Sequence, residues 1–161
     1  MKKYTLTETK KETETGEIVY RIRALKTWEV QGWLVNKGDL GGWVQSEDNL
    51  SHEGGCWLFD EAIGYQNSMR RGESIGCDNS RQCGNSQQCG NSVQGGYSIQ
   101  SGNSIQDGYS LQSGNSQQDG HSVQCGYSVQ CGNSIQDGFS VQDGDSVQDG
   151  DSVQGGIVRK A

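Results

Sequence analysis

Between residues 79 and 156 the chain divides without remainder into thirteen units of six residues, from NSRQCG and NSQQCG at the start to DSVQDG and DSVQGG at the end. No other property restricts the fold as much. A glycine every sixth residue excludes a helix. A short fixed period with a β-branched residue and a glycine turn in each unit is the pattern of a solenoid of stacked coils. Three degenerate units (EAIGYQ, NSMRRG, ESIGCD) come before, so the repetitive part starts at Glu61 and runs sixteen units. Composition agrees, since 25 glycines, no proline and 30% hydrophobic residues in 161 leave too few apolar groups for a conventional core. A disordered low-complexity tail would share the Gly, Ser and Gln content, but it requires neither the strict register nor the recurring Val, Ile and Leu.

Within each regular unit Ser, Gln and Gly hold the second, fourth and sixth positions, whereas the first, third and fifth vary. Successive side chains of a strand face opposite sides, so Ser and Gln share one face and the first and third residues the other. A solenoid interior admits one shape per level, and the invariant residues therefore read as internal. Buried amides must be paired, and stacked Gln side chains about 4.8 Å apart are expected to bond to one another in a ladder. The alternative register puts Val93, Val123 and Ile135 inside, but it also drives Tyr97, Phe139 and Asp145 inward. With Gln inside, Val93, Ile99, Ile105, Leu111, Val123, Val129, Ile135, Val141, Val147 and Val153 form outward lanes too apolar to leave wet on a monomer. They predict a homodimer packed sheet to sheet about a twofold axis, with Tyr97, Tyr109, Tyr127 and Phe139 extending the contact. The plainer alternative is that β-branched residues serve only as good strand formers.

The fold class that follows is all-β. It is a parallel β-helix of hexapeptide repeats over residues 61–156, preceded by a small N-terminal β capping segment (1–60) and followed by a C-terminal tail (157–161). The four tryptophans, Trp28, Trp33, Trp43 and Trp57, supply the only conventional apolar core. A bulky end stops the first coil from pairing with another molecule, so capping is the first reading of this segment and a Trp-lined ligand site the second.

Charge is unevenly placed. The formal net charge is −7, yet only Arg159 and Lys160 among the 13 basic residues follow Arg81. Direct nucleic-acid binding by the repeats is excluded, because phosphate tracking needs clustered Lys and Arg. The acids serve solubility in the plain reading. In the sharper one Asp137, Asp143, Asp145, Asp149 and Asp151 imitate a phosphate backbone and occupy a partner, a host nucleic-acid-binding enzyme. There is no run of 18 apolar residues, and Met1-Lys2-Lys3 is followed by polar residues. A membrane span and a secretory signal are therefore not expected, and a cytoplasmic location is.

The residues Gly38-Asp39-Leu40-Gly41-Gly42-Trp43-Val44, then Asn49-Leu50-Ser51-His52-Glu53-Gly54 and Cys56-Trp57-Leu58-Phe59-Asp60, resemble the leader of bacterial and prophage hexapeptide-repeat proteins. The resemblance implies a left-handed parallel β-helix with three units per triangular coil, about five coils for sixteen units. It implies an acyltransferase or a phage protein of unassigned role. The usual repeat reads Gly-Asn-Ala-x-Val-x, and this chain places Ser at the Ala position and Gln at the inward aliphatic one. A flattened coil of twelve residues stays open beside the triangular one of eighteen.

Acyltransferases of that kind use a histidine base and a projecting loop that builds an acyl-coenzyme A cleft. Only His52 and His121 are present, neither with an evident acid partner or inserted loop. Cys77, Cys83, Cys89, Cys125 and Cys131 all take the fifth position, six or a multiple of six apart. That spacing does not suit zinc, and the cysteines read as small turn residues, open to air oxidation where they stack. No metal or cofactor is expected. The function expected from the sequence is therefore a non-enzymatic β-solenoid that presents a repetitive acidic and polar surface for protein binding and self-association. An anti-defence nucleic-acid mimic of phage origin is one form of it. The alternatives are a hexapeptide-repeat acyltransferase and a structural assembly element.

Overall fold

The computed structural model describes residues 1–151 and 153–159; Lys160 and Ala161 of the expected tail lie outside the described residues. The chain winds a parallel β-solenoid of about six turns. Each strand pairs in parallel with the one 18 residues on, as in Arg81 with Ile99, Gln87 with Ile105 and Val93 with Leu111. A turn is thus three hexads, one on each of three faces, and the twelve-residue coil is set aside. The first face carries Ile63–Gly64, Arg81–Gln82, Ile99–Gln100 and Gln117–Gln118. The second carries Met69–Arg70, Gln87–Gln88, Ile105–Gln106 and Val123–Gln124. The third runs from Trp57–Leu58 through Ile75–Gly76, Val93–Gln94, Leu111–Gln112 and Val129–Gln130 to Val147–Gln148. Near the C-terminal end one strand, Ile135–Asp143, serves the first and second faces in succession.

Serine and glutamine fill the interior. Ser86 to Gln136 show no exposed surface at these two positions beyond 1%, while the third-position residues look outward and are half covered by their neighbours. The expected glutamine ladder does not form. Gln94 Nε2 donates to the carbonyls of Arg81 (2.7 Å) and Ser98 (3.4 Å), and Gln112 Nε2 to those of Ile99 (2.8 Å) and Ser116 (3.3 Å). Each amide spans the interior to the main chain of the adjacent face. The physical reason is donor economy: two carbonyls lie within reach of the two N–H bonds, whereas a ladder would use only one of them. The amide oxygens of Gln88, Gln100 and Gln106 consequently find no donor among the described residues.

The N-terminal end closes the solenoid differently. Strands β1 (Tyr4–Glu12) and β2 (Ile18–Ala24) are antiparallel, β3 (Trp28–Val30) and β4 (Trp33–Val35) form a separate hairpin, and β5 (Leu40–Val44) joins β2 antiparallel and Ile63–Gly64 parallel. An antiparallel cap thereby passes into a parallel stack within one sheet, and the first-face strand of the first coil has a partner on its outer edge. Before the hexads begin, β5, Leu50 (bridged to Arg70) and Trp57–Leu58 already wind one coil. Asn49 does there what glutamine does later, donating through Nδ2 to the carbonyls of Gln66 and Ser68, both at 2.9 Å. The glycines before Trp43 are fixed by contact, since a Cβ on Gly41 would lie 2.4 Å from the Trp57 ring and one on Gly42 2.4 Å from the Ala62 carbonyl. Around them Tyr4, Ile22, Val44, Leu50, Trp57 and Leu58 are buried in one apolar core, and Val19, Trp43, Ile63 and Tyr65 form a second, smaller cluster. Burying each such side chain is worth about 1.5–3 kcal/mol.

Candidate interaction surface

The third-position residues divide among the three faces according to the 18-residue turn. Ile99, Ile135 and Val153 stand on the first face, in a row interrupted by Arg81 and Gln117. Ile105, Val123 and Val141 stand on the second, interrupted by Gln87. Val93, Leu111, Val129 and Val147 stand on the third, where they continue Trp57 and Ile75 into a row with no polar member. Only this third row is apolar from end to end among the described residues.

The aromatic rings do not share a surface. Tyr109 and Tyr127 stack at 5.0 Å on the edge beside the third face, Phe139 stacks on His121 at 4.8 Å on another edge, and Tyr97 occupies the remaining one. Each tyrosine is more than half exposed, and Phe139 is 79% exposed. The five C-terminal aspartates are dispersed likewise: Asp137 follows the first face, Asp143 the second and Asp149 the third, with Asp145 and Asp151 on two edges. They encircle the last turns instead of lining one face. Asp137 and Asp149 also turn an oxygen back to the next glycine N–H, at 2.5 and 2.6 Å.

His52 does have an acid partner, contrary to the reading from sequence. Its Nε2 lies 3.4 Å from Glu47 Oε2, its Nδ1 accepts the Lys3 N–H at 3.3 Å, and its ring stacks on Tyr4 at 4.3 Å. The short 3-10 turn Glu47–Asn49 brings Glu47 there, a proximity that sequence spacing alone does not disclose. Both ring nitrogens of His52 are occupied, one by the Lys3 main chain and one by Glu47, and neither histidine lines the clefts that hold Gln45 and Met69, Trp33 and Phe59, Lys11 and Arg81, or Thr5 and Arg23. The corner cysteines never stack on one another, because the residues 18 away are Phe59, Tyr65, Arg71, Gly95, Ser101, Asp107, Ser113, Asp143 or Asp149. Burial and the neighbouring Asp78, Asp107 and Asp143 push the Cys77, Cys89 and Cys125 thiols up to about 11, which leaves them inert as nucleophiles near neutral pH.

Inside, residues 61–78 break the repeat at all three inward positions, with Gly64, Arg70 and Gly76 where later turns carry glutamine. Arg70 is 1% exposed and its guanidinium lies in the interior, Nε donating to Gln82 Oε1 (3.3 Å) and Nη2 to Gln94 Oε1 (3.0 Å). Desolvation lowers its pKa to about 10. Sequence reasoning passed over Arg70, although the Gly-Arg-Gly substitution at successive fourth positions was the available signal. It also grouped Trp33 with the core. Trp43 and Trp57 are buried, but Trp33 is 64% exposed and rests against Phe59, with ring centroids 5.8 Å apart.

No protein-family model matches the chain, and no curated protein does. No helix among the described residues is long and apolar enough to cross a membrane.

Proposed function

We propose that this chain is a binding module that works through its flat faces, and that its third face associates with the same face of a second copy. The observation that carries the reading is the apolar row of Val93, Leu111, Val129 and Val147, which continues beyond the buried Trp57 and Ile75 without a polar member and is flanked by the stacked Tyr109 and Tyr127. A twofold axis places such a row against itself without a charge mismatch. The usable part of the face, four rungs or about 19 Å long and about 17 Å wide, covers roughly 320 Å² per copy. That is below the roughly 800 Å² per partner of a stable complex, so a weak dimer that dissociates on dilution is expected.

Light scattering across a wide dilution series tests this. The expected result is a dimer that gives way to monomer on dilution, with Leu111→Glu monomeric throughout and melting within about 2 °C of the parent. A parent chain that stays monomeric at the highest concentration, or a Leu111→Glu variant that dimerises as the parent does, removes the proposal. The acid-ringed end then serves as the second surface, open to a basic protein partner. The nucleic-acid mimic is one version of that contact, although a ring of acids is a poorer copy of a phosphate strand than a row would be. The hexapeptide-acyltransferase alternative lacks a supporting observation of its own, given the placement of His52 and His121.

A further inference from the structure

Where the β3–β4 hairpin leans over the N-terminal end of the third face, it encloses a cleft of about 410 Å³, within the size range of small-molecule sites. Ile75 and Val93 contribute apolar surface to it, Trp33 and Phe59 contribute their rings, and Asp60 and Asp78 contribute carboxylates; no lysine or arginine lines it. Three observations mark it as more than a packing defect. Trp33 stays largely exposed while Trp43 and Trp57 are buried. Asp60 and Asp78 sit at the corner position that is glycine in every regular hexad, and they accept left-handed φ values of 50° and 56° to do so. Each spends Oδ2 on a backbone N–H of the next coil (Asp78 N at 3.4 Å, Gly96 N at 2.9 Å), and each Oδ1 is without a partner among the described residues. The corners at Gly102 and Gly114 do without such an acceptor, and at the corresponding corner Gln66 (φ 58°) supplies an uncharged one to Gly84 N at 2.8 Å, so it is the carboxylate that sets Asp60 and Asp78 apart.

We propose that this cleft binds an alkylated ammonium group. Aromatic faces attract a cation through the ring quadrupole, the two carboxylates supply opposite charge, and an apolar shell of methyl groups suits Ile75 and Val93. A bare ammonium would find acceptors in the carboxylates alone and lose the rest of its hydration against the rings, Ile75 and Val93, which is why the alkylated form is favoured. The cleft borders the proposed dimer face and shares Val93 with it, so the monomeric Leu111→Glu variant is the form in which to test it.

Choline and its uncharged isostere 3,3-dimethylbutanol are titrated separately while the Trp33 indole N–H resonance, assigned by comparison with Trp33→Phe, is followed by NMR. The expected outcome is a saturable shift with choline, with the isostere at least about tenfold weaker. The Asp60→Asn, Asp78→Asn double variant is expected to lose at least about tenfold in choline affinity, and its fold is expected to persist because asparagine keeps the oxygen acceptor and tolerates positive φ. Equal affinity for the isostere, no saturation below roughly 100 mM choline, or undiminished binding by the folded double variant would each overturn the proposal.

Discussion

Arg70 is the residue at which this solenoid differs most from a plain stack of identical levels. Its side chain is longer than the glutamine it replaces, and Gly76 makes the room: a Cβ there would lie 1.9 Å from Arg70 Nη1. Among the described residues no carboxylate answers the buried cation. Two amide oxygens do, and they are oxygens of the same kind that higher turns leave without a donor. Glycine and arginine are therefore coupled, and a double-mutant cycle by urea denaturation measures the coupling. Gly76→Ala is expected to cost about 1–3 kcal/mol through overpacking against the guanidinium. In an Arg70→Gln background the same change is expected to cost less than about 1 kcal/mol, because the atoms it meets are gone. Equal costs in both backgrounds would show that Gly76 is required for another reason.

At the scale of single elements, the two-residue strands hold together because their corners approach one another closely. Gly114, at φ 67°, stands with its Cβ direction 2.7 Å from the Gly132 carbonyl, whereas Gly138, at φ 70°, has nothing within 4 Å. Alanine at either position bears the left-handed strain of about 1 kcal/mol, but only Gly114→Ala adds a main-chain clash, and it should be less stable than Gly138→Ala by at least about 1 kcal/mol in chemical denaturation. The corners, the period and the inward glutamines were legible in the sequence because each recurs, and recurrence reports a shared environment. The first coil was not legible. Leu40–Val44, Leu50 and Trp57–Leu58 wind it with no hexad spacing, and Asn49 performs the glutamine's task from a 3-10 turn. The partners of the glutamine amides were likewise hidden, since the carbonyls they choose belong to an adjacent face that comes within reach only after the coil has closed. For the cleft, nothing in the local pattern separates the exposed Trp33 from the tryptophans of the core, because the hairpin's lean over the third face decides it.

At the scale of the whole molecule, the inside and the outside obey different rules. Every regular level offers the axis the same serine and glutamine on each of three faces, while the outer rows differ from face to face. An extra hexad inserted after Gly114 is therefore expected to keep the thermal melt within about 5 °C of the parent, because each added or displaced residue meets an equivalent interior. A single inserted residue at the same point turns every following glutamine outward, and circular dichroism should then show loss of the turns beyond it. A melt equally damaged by both insertions would mean that the faces are not interchangeable inside. If they are, slippage of the coding DNA by whole units acts like turning the ring of a combination lock: the mechanism within keeps working, and a new line of characters is presented to whatever reads it.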